Sequence, residues 1–201
     1  MSNYKKIEDI INKNSGYITR KEIDKANIPS AFLSQFVRKN NLIKLAPGFY
    51  AKKDWMVDDY LIFQYQYPKL IYSFYSSAFL HQLGDSSPSF LEVTAPKNYR
   101  PFALPRNGVV LHTDTRNDTY YLGICETTTV FGNKVRAYDQ EKTVCDFIKN
   151  REKIDSESFV KCLNWYKRKS DKNIHNLMKY AQIMKIENKV NNIMEVILND
   201  D

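Results

Sequence analysis

The sequence predicts an α+β protein in two parts: a small helical module closed by a hairpin, then a larger mixed α/β part that ends in a helical tail. Three observations predict it. Apolar residues recur at helical spacing through most of the first 40 positions. Short apolar runs broken by Pro, Gly, Asn and Asp follow over about 90–138, and helical periodicity returns from Asp139 onward. The charge is also uneven: of a net +7, residues 1–54 carry eleven basic against five acidic side chains, while Trp55 to Lys153 is roughly balanced.

Tyr4, Ile7, Ile10 and Ile11 share one helical face, so residues 3–14 read as an amphipathic helix stopping near Asn14-Ser15-Gly16. Thr19-Arg-Lys-Glu22 reads as a capping box that opens a short second helix through Ala26. Pro29 disfavours helix at Ile28 and suits the first turn of a third helix, expected from Pro29 to Asn40. On that helix Leu33, Phe36, Val37 and Asn40 fall on one side; Ala31, Ser34, Gln35, Arg38 and Lys39 fall on the other. Leu42 to Leu45, then Ala46-Pro47-Gly48, then Phe49 to Ala51 read as strand, turn and strand.

Three helices followed by such a hairpin make a winged helix-turn-helix, in which the third helix enters the major groove of DNA. The expected contacts follow from that geometry. Gln35 and Arg38 have the donors for adenine and guanine edges. Ser30, Ser34, Lys39 and the wing residue Lys44 suit phosphate or a nearby base, and Thr19 and Arg20 stand where a helix N-terminus favours a phosphate oxygen. A purely structural module with a solvated basic face is the competing reading.

A connecting helix is expected over Asp54–Tyr67, so the parts divide as 1–54 and 55–201. In the second part, Ser73–Leu83 reads as helix, Phe90–Ala95, Val109–His112, Tyr120–Glu126 and Lys134–Tyr138 as strands, and Asp139–Lys149, Ser156–Lys167, Asn173–Met184 and Glu187–Leu198 as helices. Lys97, Arg100 and Arg106, interleaved with Tyr99 and Phe102, offer a possible second basic surface or simply a solvated loop. The cluster Lys161, Lys167, Arg168, Lys169 and Lys172 fits the cationic end of a helix.

Enzymatic chemistry finds little support, and no cofactor or metal is expected. The sequence has no Gly-rich phosphate loop, no His-Glu-x-x-His and no Gly-x-Ser-x-Gly. A metal nuclease would need Asp85 and Glu92 to cooperate, yet Thr94 stands where such sites place a lysine. Cys125, Cys145 and Cys162 are unpaired in spacing and read as buried thiols, and His81 reads as a satisfied core histidine. The lack of a long apolar run and of a signal-peptide core makes a soluble cytoplasmic protein the expectation. No heptad seam is visible, so a monomer is expected in solution.

The wing Leu42-Ile-Lys-Leu-Ala-Pro-Gly-Phe-Tyr-Ala51 resembles that of the AbiEi family, the antitoxins of type IV abortive-infection toxin-antitoxin systems used in phage defence. The resemblance continues through Tyr75-Ser-Ser-Ala-Phe-Leu-His-Gln-Leu-Gly84, Pro88-Ser-Phe-Leu-Glu-Val-Thr-Ala-Pro96 and Tyr138-Asp-Gln-Glu-Lys-Thr-Val-Cys-Asp146, and so spans about residues 5–150. It implies an autorepressor whose N-terminal domain binds repeats of double-stranded DNA in its own promoter. It also implies a C-terminal antitoxin domain that counters a nucleotidyltransferase-like toxin without a stable complex. Ser34, Gln35, Arg38 and Lys39 make the third helix less arginine-rich than in many relatives. The alternative is a winged-helix transcription factor whose second domain senses a ligand or partner.

Overall fold

A computed structural model describes residues 2–85, 87–105 and 107–199, which divide into two compact units, 1–66 and 67–201. The division lies beyond Asp54 because the helix after the hairpin associates with the first unit.

In unit 1, α1 (Asn3–Lys13), α2 (Arg20–Lys25) and α3 (Ser30–Lys39) enclose Ile7, Ile11, Ile18, Ile23, Ile28, Leu33 and Phe36. Burial of each such side chain is worth about 1.5–3 kcal/mol, which is what holds three short helices together. Left-handed Asn27 and Asn41 follow α2 and α3, a conformation asparagine tolerates. After α1 the chain turns at Gly16, φ +119°, whose absent Cβ would meet Trp55 Cδ1 at 3.1 Å.

The hairpin pairs β2 (Ile43–Ala46) with β3 (Phe49–Ala51), and a third strand the sequence reading missed, β1 (Tyr17–Thr19), pairs antiparallel on the other edge of β3. The helix expected over Asp54–Tyr67 is shorter, α4 (Asp59–Gln66). Phe49 is fully buried, with Tyr17 stacked on it at 5.0 Å and Tyr65 edge-on at 5.4 Å.

Unit 2 is built on a five-stranded mixed sheet. Its strands are β4 (Ile71–Tyr72), β5 (Leu91–Ala95), β6 (Val109–Thr113), β7 (Ile124–Thr128) and β8 (Lys134–Tyr138), in the order β6-β5-β4-β8-β7. The β5/β6 and β4/β8 pairs are parallel, and the other two antiparallel. The strand expected over Tyr120–Glu126 begins later, because α6 (Asn117–Tyr120) occupies its start and Gly123 turns at φ +68°.

The helices of this unit are α5 (Phe74–Leu80), α7 (Gln140–Lys149), α8 (Ser156–Arg168), α9 (Ile174–Met184) and α10 (Glu187–Asn199). Helix α7 is central: every residue from Gln140 to Ile148 is buried, with α5, α8, α9 and α10 against it.

Candidate nucleic-acid interface

Helix α3 divides its surface cleanly. Leu33 and Phe36 are 4% and 3% exposed and lie in the core, Phe32 and Val37 are half-buried, and Ser30, Ala31, Ser34, Gln35, Arg38 and Lys39 are exposed. From Ala31 on, the exposed set is the one helical spacing assigns to a single face. Asn40, expected on the packed side, is instead exposed, and its side-chain amide donates to the Phe36 carbonyl at 3.0 Å. It closes the helix end as a cap and contributes nothing to the core.

Gln35 is supported from α1. The Tyr4 hydroxyl donates to Gln35 Oε1 at 2.9 Å, while the Tyr4 ring lies edge-on to Phe32 and tilted against Phe36, both at 5.9 Å. Lys39 Nζ stands 5.7 Å from the centre of the same ring. The amide oxygen keeps one lone pair and the amide nitrogen both hydrogens, so the donor-acceptor edge that complements adenine is preserved with its orientation set. Sequence spacing pointed to Tyr4 only as a core residue; its hydroxyl partner lies 31 positions away.

Arg38 forms no ion pair among the described residues and projects from an exposed position in the last turn. The Ser34 hydroxyl donates to the Ser30 carbonyl at 3.3 Å, so its remaining capacity is as an acceptor. Ser30 is the first residue of α3, and Pro29, at the N-cap rather than inside the first turn, supplies no side-chain cap.

Two expectations at the start of α2 need revision. Thr19 is 6% exposed, and its hydroxyl is used internally, accepting from the Glu22 N–H and donating to Glu22 Oε2 at 2.7 Å in a complete capping box. Glu22 Oε1 in turn accepts from Asn14 Nδ2 at 2.6 Å, which ties the end of α1 to the start of α2. Thr19 is thereby withdrawn from any phosphate. Arg20 is exposed but already bonded to Asp24 at 2.8 Å, a surface pair of small energy that a phosphate can displace.

The hairpin is braced from both sides. Lys44 is exposed on β2, opposite Tyr50. Gly48, at φ +76°, accepts through its carbonyl from the Arg20 N–H at 2.7 Å and from the Tyr65 hydroxyl at 3.0 Å. A Cβ there would lie 2.8 Å from that hydroxyl. Lys21 donates to the Tyr65 carbonyl at 3.1 Å and lies 4.6 Å over its ring. Burial raises the Tyr65 hydroxyl pKa and raises that of Tyr17 to about 12, so both stay neutral and Tyr65 remains a donor. No local signal marked Tyr65 as the residue that holds the turn.

In unit 2, Lys97 and Arg100 are exposed on the segment after β5, where Phe102 is 93% exposed and Tyr99 lies 5.3 Å under Lys69. Arg106 lies outside the described residues. Asp85 is paired at the surface with Lys161 at 3.2 Å, whereas Glu92 is buried and paired with His112 at 3.0 Å. Each carboxylate thus has a partner of its own.

Cys145 and Cys162 are buried and Cys125 half-buried, and burial raises their thiol pKa values to about 12, 12 and 11. His81 Nε2 lies 2.7 Å from the Tyr138 carbonyl, with its pKa lowered by burial. Among the described residues no group of three or more His, Cys, Asp or Glu side chains is placed to hold a metal ion, and no helix is long and apolar enough to cross a membrane.

The chain is similar over 90% of its length, and over 72% of the other, to the crystal structure of the RV2827C protein from Mycobacterium tuberculosis, with a TM-score of 0.53 and 14% identity. At that identity the likeness is one of fold. No curated protein matches the sequence. Residues 5–51, which hold α1 through β3, match the family model described as "Transcriptional regulator, AbiEi antitoxin". Over that segment the resemblance read from the sequence holds, and the match supports a regulator or antitoxin role.

Proposed function

We propose that unit 1 is a winged helix-turn-helix that binds repeats of double-stranded DNA in the promoter of its own operon and represses it in the cytoplasm, as a monomer on each repeat. Helix α3 lies in the major groove, with Gln35 and Arg38 on base edges. Lys39, Lys44, Ser30 and, after release from Asp24, Arg20 meet phosphate or sugar, and Ser34 faces the nearest base as an acceptor. The observation that carries this reading is the division of α3: two deeply buried anchors beneath an exposed face bearing glutamine, arginine and lysine. The hairpin and α4 make residues 1–66 the DNA-binding unit. Unit 2 is the antitoxin domain, which counters a nucleotidyltransferase-like toxin without a stable complex.

Anisotropy titrations on operator and unrelated duplexes at several salt concentrations test the first part. Arg38→Ala costs about 1–3 kcal/mol on the operator and relaxes specificity at one base pair. Lys44→Ala weakens all sequences about equally and lowers the salt slope by about one phosphate. Unchanged affinity in Arg38→Ala removes α3 from the groove. For the second part, co-expression of residues 67–201 with the neighbouring toxin gene rescues growth if the antitoxin role resides there; failure of the folded fragment to rescue argues against it.

A further inference from the structure

A polar cleft of about 470 Å³ opens in unit 2 between the ends of β5 and β6 and one face of α7. That volume lies within the range of small-molecule sites. Thr94, His112, Thr113, Asp114, Thr115 and Arg116 line one wall. Lys142, Asp146 and Lys149 recur at i, i+4 and i+7 along α7 and line the other, continued by Asn150 and Lys153.

The charges of this cleft are mostly settled internally. Lys142 is 3% exposed, donates to both Asp146 oxygens at 2.7 Å and stands 4.3 Å over the Tyr138 ring. Asp114 Oδ1 accepts from the Arg116 N–H at 3.0 Å and from the Thr119 hydroxyl at 2.7 Å. The Arg116 guanidinium is held by Asp118 and the Ile183 carbonyl. What remains is the Asp114 carboxylate, held by neutral donors only, and two cations: Lys149 and Lys153 are exposed, and neither forms an ion pair among the described residues. Both lysines, together with Asn150, also line a second cleft, so they stand as a ridge between two open spaces. A buried ion pair gives little stability that packed apolar side chains would not, so Lys142 and Asp146 matter here as a neutral polar floor.

The geometry points to a binding site for a small anion carrying more than one phosphate group, gripped by Lys149 and Lys153 at the mouth and by the Thr113 and Thr115 hydroxyls along the wall, while the Asn150 amide is taken by the Asp146 carbonyl at 2.9 Å. Two ammonium groups, Lys149 on the last residue of α7 and Lys153 at the end of the 3-10 turn Arg151–Lys153, suit an anion with two phosphates better than one with a single phosphate, and hydroxyls complete phosphate oxygens without adding charge. This site does not depend on the DNA-binding reading of unit 1. It gives unit 2 a means of sensing a soluble anion.

The test is isothermal titration calorimetry of the full chain with inorganic tripolyphosphate and with ATP. Saturable binding that weakens with added salt is expected. Lys149→Glu/Lys153→Glu should weaken it by about a hundredfold, since each of the two charged hydrogen bonds lost is worth roughly tenfold. Its melting curve should shift only slightly, because both side chains are exposed, although Lys149 faces the C-terminal end of α7 and the Asp146 charge. Arg38→Ala should bind tripolyphosphate like the parent, which separates this site from the α3 surface. Absence of binding by both anions overturns the proposal, as does equal binding by the double variant. A short duplex of unrelated sequence that loses affinity in the double variant, when tripolyphosphate gives no heat, assigns the ridge to nucleic-acid backbone and also overturns it.

Discussion

Tyr4→Phe isolates one hydrogen bond at the proposed reading face. The phenylalanine keeps the edge contact to Phe32, the tilted contact to Phe36 and the ring beneath Lys39; only the 2.9 Å bond to Gln35 Oε1 is lost. That bond is exposed, so its net worth to folding is about 0.5 kcal/mol, and the melting temperature should barely move. Operator binding is a different matter. Without the hydroxyl the Gln35 amide rotates freely in the unbound protein, and fixing it on a base edge then costs about 0.5–1.5 kcal/mol, or roughly two- to tenfold in Kd. Anisotropy titrations on the operator, run as a double-mutant cycle with Gln35→Ala, check this. In the Gln35→Ala background Tyr4→Phe should change nothing, because nothing is left to orient. Equal losses in both backgrounds, or no loss in the parent, would refute the orienting role of Tyr4.

Thr19→Ala should lower the stability of unit 1 by about 1 kcal/mol, through loss of the capping box, and leave the salt dependence of DNA binding unchanged; a lowered salt slope would return Thr19 to the phosphates. Lys142→Met strands the buried Asp146 carboxylate and should cost about 3–5 kcal/mol by chemical denaturation, whereas Lys142→Met with Asp146→Leu recovers most of it. A single variant no worse than a substitution at an exposed lysine contradicts that. Burial lowers the folded-state pKa of His81, so the unfolded chain takes up the proton first as pH falls through about 6.5, and stability present above that pH is lost below it. His81→Gln should therefore flatten the melting temperature between about pH 6.5 and 5. The pKa values of Asp139, Glu141 and Asp146 are raised by burial and act in the opposite sense at lower pH.

Long periodic segments were legible because their signal is repeated many times over. The strand Lys134–Tyr138 and helices α8 and α9 lie within a residue or so of where the pattern puts them, and α3 turns outward the face that 100° spacing assigns. Strands β1, three residues, and β4, two residues, are too short to show alternation and exist because a neighbouring strand offers them hydrogen bonds. The proposed interface was legible in composition but not in its bracing. Tyr4 and Tyr65 work through hydroxyls aimed at partners 31 and 17 positions away. At Thr19 the capping-box motif forms as its spacing predicts, and a hydroxyl that closes a capping box is not free for phosphate.

The segment Tyr138 to Asp146 shows how a diagnostic sequence can be structural. Its pattern suggests an amphipathic helix with a wet polar side, yet every residue from Gln140 to Ile148 is buried and its polar groups find partners inside. Glu141 Oε1 accepts from the Asn173 N–H at 2.8 Å, the Thr143 hydroxyl donates to the Asp139 carbonyl at 2.7 Å, and Gln140 Nε2 donates to the Asp171 carbonyl at 3.1 Å. The Glu141 and Gln140 bonds fix the segment before α9 against α7, and an apolar residue at Glu141 would leave the Asn173 N–H without that partner, whereas Thr143 bonds back onto the first turn of its own helix. Apart from Lys142 and Asp146, which floor the polar cleft, the body of α7 therefore offers no side chain to a partner. Only at Lys149 does the helix reach solvent, so whatever meets unit 2 along this element meets it at that end, where the two unpaired lysines stand.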